Sequence, residues 1–113
     1  MKKIYRTALL LTVLIFLSTY NPKDLNSILF LIGVQELGHG PKNFSKEEKQ
    51  DLMHIAICKV LSYSGFYELE GTDEQGWPHW KKAKDLPHFD LIEQEKLLKM
   101  HILEYFEQEN MIN

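Results

Sequence analysis

Apolar positions along this chain recur mostly at helical spacing, and the breaks between runs fall at glycine, proline or a capping residue. The first run is continuous: Thr7 to Tyr20 carries no charge, and Lys2, Lys3 and Arg6 precede it. Asn21-Pro22 interrupts it, because proline disfavours helical geometry in the residue before it. Asp24 or Asn26 is then placed to cap a helix from Leu25 to about Leu37. Ile28, Leu29, Leu31, Ile32 and Leu37 leave that helix little polar surface, which predicts a central or membrane-proximal position. Gly38 suits the left-handed position past its end. Ser45 and Glu48 have the spacing of a capping box, and the helix they open runs to about Ser64, with Gly65 as its stop. Leu52, Ala56, Val60 and Tyr63 form one stripe, widened by Met53, Ile57 and Leu61. So broad an arc predicts packing against two neighbours.

The period then changes. Phe66 to Glu70 reads as a strand from its aromatic content, and Trp77 to Lys81 as its partner. The connection Gly71-Thr72-Asp73-Glu74-Gln75-Gly76 is rich in turn residues, with Gly76 set for a positive φ. Pro78 cannot donate to a strand ladder, so the second strand must be an edge. Asp85 to Phe89 is a loop. Asp90 and Glu93 repeat the cap spacing ahead of a final helix ending near Gln108, in which Leu91, Leu98, Ile102 and Tyr105 share a face with Ile92 and Phe106 at its margin. The pattern predicts a predominantly helical α+β fold: an N-terminal apolar helix, then helix, helix, β-hairpin and helix in one small domain. Two strands are too few to stand alone, so the hairpin must lean on a helix.

A basic end followed by a short apolar block is the signature of an export signal or a short membrane anchor. The chain therefore divides into a leader, residues 1–23, and a small domain, residues 24–113. Fourteen helical residues rise about 21 Å, against roughly 30 Å of hydrocarbon, so residues 7–20 are short for a span. Small residues are sparse after the block, and no A-x-A cleavage pattern follows. Membrane association through residues 7–20, or export, is the expected location. The other expectation is a cytoplasmic protein that uses the same run as its first core helix.

Charge sharpens that division. The formal net charge of −3 hides nine lysines against sixteen acids in residues 24–113, a balance of −7. No arginine follows Arg6. Arginine supplies the planar fork that grips phosphate, and an acidic surface repels a polyanion, so nucleic acid is a poor partner. Cys58 is the only cysteine, which excludes an intrachain disulfide.

Two groups of residues carry candidate chemistry. Glu47, Asp51, His54 and Cys58 follow one another at four-, three- and four-residue steps, which places them on one helix face, opposite the Leu52/Ala56/Val60 stripe and partly exposed. Carboxylate, imidazole and thiolate are zinc-ligand types, and Asp51, His54 and Cys58 are the trio close enough to share an ion. The bland alternative is a solvated polar face, and no C-x-x-C or H-E-x-x-H pattern reinforces a metal. The second group is Trp77-Pro78-His79-Trp80. Alternation assigns Trp77 and His79 to one strand face and Trp80 to the other, so one indole should cover the helical core and one stand exposed. Trp77, His79 and Trp80 are thus candidate partner contacts, exposed tryptophan being a common interface anchor. Simple closure of a small core by both rings competes with that reading.

Other pairings are weaker. Glu36/His39 and His101/Glu104 have the three-residue spacing of E-x-x-H and H-x-x-E pairs, but Gly38 interrupts the first and the second is reversed relative to a carboxylate di-metal site, so His101 is expected at the edge of its apolar face. No G-x-S-x-G or phosphate-binding glycine loop is present, which leaves nucleophilic catalysis without support. The expectation is a non-enzymatic protein-interaction module with a protein partner and no cofactor, anchored or exported. One alternative is a small metal-binding or enzymatic domain, with zinc or a related transition metal at Asp51, His54 and Cys58. A further one is a soluble winged-helix-like DNA binder, suggested by element order alone and opposed by the acids opening helix 45–64.

Overall fold

The computed structural model describes residues 22–40 and 42–112, with side chains described from Leu25 to Glu109. The basic end and apolar run of the leader lie outside the described residues. Five elements follow in order: α1 (Pro22–Leu37), α2 (Lys46–Ser62), β1 (Tyr67–Thr72), β2 (Pro78–Lys82) and α3 (Leu91–Ile112). This is the α+β arrangement of helix, helix, hairpin and helix that the hydrophobic pattern predicts.

The capping chemistry explains most boundaries. Pro22 opens α1, where its missing N–H is no loss because the first turn has no intrahelical acceptor for it. Past the end of α1, Gly38 adopts φ 75° and its N–H reaches the Val34 carbonyl at 3.2 Å. At the start of α2, the Ser45 side chain accepts from Glu48 N–H at 3.1 Å, and Glu48 Oε1 accepts from Ser45 N–H at 2.9 Å. Gly65, at φ 80°, closes α2 in a Schellman turn: Gly65 N–H bonds the Ser62 carbonyl and Phe66 N–H the Leu61 carbonyl. Asp90 Oδ1 accepts from Glu93 N–H at 2.8 Å before α3.

α2 is the element on which α1, α3 and both strands pack. Its contact with α1 is the most extensive, and Gly33 makes it so. A Cβ at that position would collide with the Leu52 carbonyl, so glycine alone lets the two backbones approach this closely. One apolar cluster joins Leu25, Ile28, Leu29 and Ile32 of α1 to Ala56, Val60 and Leu61 of α2 and Ile102 and Tyr105 of α3. A second holds Leu37, Phe44, Leu52 and Ile55, with Trp77 of the hairpin packed on it. A polar tie crosses the three helices: Tyr105 O–H donates to Glu36 Oε2 at 2.8 Å, and Lys59 Nζ lies 3.8 Å from the other Glu36 oxygen. Burial, then the Glu36 charge, pushes the Tyr105 phenol well above its ordinary range.

Three expectations need correction. The apolar arc of α2 widens toward Ile55 and Cys58, which are buried, whereas Met53 and Ile57 are only half-buried. Ile55 belongs to the apolar cluster on which Trp77 of the hairpin packs. In α3, Leu91 and Ile92 are 82% and 65% exposed, because burial on this helix is confined to its C-terminal half around Ile102 and Tyr105. His101 is not marginal but buried. Its Nδ1 lies 2.7 Å from the Leu97 carbonyl, which can only accept. Nδ1 therefore donates there, and Nε2 lies 2.7 Å from the Ser64 hydroxyl.

β1 and β2 pair antiparallel, from Tyr67↔Lys82 to Thr72↔Pro78, with a register shift between Leu69 and Gly71. Among the described residues no helix is long and apolar enough to cross a membrane.

Candidate functional site

The hairpin leans on α2 without sealing it, and a cleft of about 530 Å³ remains between them. That lies within the roughly 300–1,000 Å³ typical of ligand sites. Glu48, Asp51, His54 and Ile55 of α2 form one wall; Asp73, Gln75, Trp77, Pro78, His79 and Trp80 form the other. The two groups that the sequence presents separately thus face one another. All three aromatic-strand candidates, Trp77, His79 and Trp80, line this cleft, and so do two of the metal candidates, Asp51 and His54.

Asp73 holds the hairpin wall in place. Its Oδ1 accepts from Gln75 N–H at 2.9 Å and Trp77 N–H at 3.0 Å, and its Oδ2 accepts from His79 Nε2 at 2.9 Å. The His79 hydrogen bond first, and the Trp77 and Gln75 N–H groups with it, hold the Asp73 carboxyl below the usual aspartate value. Gly76, at φ 85°, completes the turn, which touches His39 of the α1–α2 connection. Glu48 is likewise held low, chiefly by the Ser45 N–H of the capping box. Both carboxyls are thereby kept ionised on the rim of the cleft.

The indoles are anchored differently from what strand alternation predicts. Trp77 precedes β2 and is half-buried against Leu37, Phe44, Leu52 and Ile55, so its body belongs to the second core cluster. Trp80 is half-buried too, and its Nε1 is enclosed with no hydrogen-bond partner among the described residues. His79 is exposed. Because Trp77 lies outside the strand, it need not follow the strand's alternation, and both rings reach the same cleft.

Cys58 departs from its expected place. It is 0% exposed and does not line the cleft. Its sulfur lies 3.5 Å from His54 Nε2, and burial pushes the thiol up to about 11, so it is protonated at neutral pH. Among the described residues no three His, Cys, Asp or Glu side chains come close enough to hold a metal ion. Ser64 and His101 form a serine–imidazole pair that sequence spacing does not reveal. The neighbouring N–H groups of Ser64, Gly65 and Phe66 already bond the carbonyls of Leu61 and Ser62, so that turn has none left for an oxyanion.

Sequence reasoning omits Glu48 and Asp73 from the site, since both already have structural duties as cap and turn residues. The D-x-x-G pattern of Asp73 to Gly76 is a turn signal, and only its position opposite Asp51 makes it part of a cleft. Comparison of the chain with protein families, curated proteins and solved structures finds no match.

Proposed function

We propose that this chain is a non-enzymatic protein-interaction module, held at or beyond the membrane by residues 7–20, whose contact face is the cleft between α2 and the hairpin. The observation that carries the reading is the convergence of Trp77, His79 and Trp80 with Asp51 and His54 on one concave surface. Half-buried indoles offer a large rigid contact area at little entropic cost, and interface anchors are built that way. Site-specific photo-crosslinking of the full chain tests it. A photoreactive residue replacing His79 should capture a discrete partner band, and the same residue replacing Glu107 on α3 should not. Trp80→Ala should abolish the band while leaving the thermal melt within a few degrees of the parent. Equal capture from both positions would remove the cleft from the function.

A second reading is a small metal-binding or enzymatic domain, and the approach of His54 to Cys58 is what favours it. Metal analysis of the purified chain separates the two. A stoichiometric transition metal, together with a melt lowered by chelator, supports the second reading. An unchanged melt and no bound ion sink it.

A further inference from the structure

We propose that the cleft between α2 and the hairpin recognises a cationic side chain, so that the partner presents a lysine- or arginine-bearing segment. This rests on the reading of the cleft as the contact face and adds the chemistry of its occupant. The lining supplies three carboxylates, from Glu48, Asp51 and Asp73, and includes no lysine or arginine. Two of the three carboxylates are fixed by backbone N–H donors, so they stay where they are when a ligand arrives. Trp77 and Trp80 line the cleft beside them, and indole rings attract cations through the ring quadrupole; His79, bonded to Asp73 at 2.9 Å, and His54 complete the polar lining.

Carboxylates on both walls, with aromatic residues beside Asp73 on the hairpin wall, suit a long side chain with an apolar stem and a charged head. Lysine and arginine both have that form. An acidic or phosphorylated segment would meet three carboxylates of like charge. A purely apolar segment would strip water from the three carboxylates without compensation. Lys42, whose charge acts on Glu48, is not among the lining residues and sits over the Phe44 ring at 5.3 Å. Elsewhere the small domain carries a net negative charge, so long-range attraction reinforces the local match.

The chain has 2 tryptophans and both line the cleft, so tryptophan emission reads this site alone. The full chain in neutral detergent is titrated with acetylated, amidated tetralysine, tetraglutamine and tetraglutamate. Tetralysine should shift the emission saturably, and the other two should not. Asp51→Asn, at an exposed position, should weaken tetralysine about tenfold, the cost of one charge-assisted contact. Glu107→Gln on α3 should leave binding unchanged.

Equal weakening by the two substitutions would mean diffuse surface attraction and overturn the proposal. Tetraglutamine binding as well as tetralysine would also overturn the cationic class, while keeping the cleft as a contact face. No emission change with any peptide overturns it as well. The crosslinking from position 79 then decides separately whether the cleft meets a partner at all.

Discussion

The two sides of α2 are finished in opposite ways. Toward α1 and α3 the helix is dry: Ala56, Val60 and Leu61 are enclosed by aliphatic neighbours, and the polar groups that intrude, Glu36 with Tyr105 and Lys59, satisfy one another. Toward the hairpin, the same helix presents Glu48, Asp51 and His54 to an open cleft, and the opposing wall is held by hydrogen bonds to one aspartate. The dry side is where folding free energy is gained, because apolar burial dominates it. The cleft side gains less and leaves charged and aromatic surface free for another molecule. One helix thus serves as core on one side and as the floor of a site on the other.

The largest expected effect comes from the tightest place on the dry side. Gly33→Ala puts a methyl group into the Leu52 backbone, which cannot yield as a flexible side chain would. It should cost about 3 kcal/mol, near the upper end for overpacking, and lower the urea midpoint accordingly. An unchanged midpoint would mean that the helices are not in such close contact. Tyr105→Phe removes the hydrogen bond to Glu36 and leaves that half-buried carboxylate with Lys59 at 3.8 Å. A loss of about 1.5 kcal/mol by the same measurement is expected.

Smaller effects belong to the hairpin side. Ser45→Ala dismantles the capping box and should cost about 1 kcal/mol, with increased amide exchange in the first turn of α2. Acid should act on the hairpin first. The Asp73 carboxyl is depressed in the folded chain, so its contribution is complete above the ordinary aspartate value of 3.8 and is lost as pH falls through its lower folded value. Exchange at the Gln75 and Trp77 amides should therefore rise below pH 3.8 before the helical core opens. Simultaneous loss of core and hairpin would erase the distinction between the two sides. Cys58 tests enclosure directly: its protonated, buried thiol should resist a disulfide reagent until the chain is unfolded in urea.

The helices and most of their ends were legible because their causes are local; the exceptions are α1, which begins at Pro22 so that the expected caps Asp24 and Asn26 lie inside it, and α3, which runs past Gln108 to Ile112. The Ser45–Glu48 box, the positive-φ positions at Gly38 and Gly65, and the Asp90 cap each involve residues within a turn or two of one another. The turn at Gly76 follows from the same short-range chemistry. The burial of Cys58 was not legible. A helical wheel places it opposite the Leu52 stripe, and its enclosure depends on elements outside α2. The exposure of Leu91 and Ile92 was hidden for the converse reason: an apolar face can be read from periodicity, but whether another element reaches it cannot.

The cleft has the same origin. The sequence by itself determined the five described elements, the hairpin, and the presence of two chemically distinctive clusters, because propensity, capping and turn formation act over a few residues. Tertiary structure alone decided that Trp77, His79 and Trp80 stand across from Asp51 and His54, and that Cys58 withdraws from them. It also turned the Asp73 turn and the Glu48 cap into parts of a binding surface. These are juxtapositions of residues some twenty to thirty positions apart, fixed by how the hairpin settles on α2 once Trp77 is packed against Leu52 and Ile55.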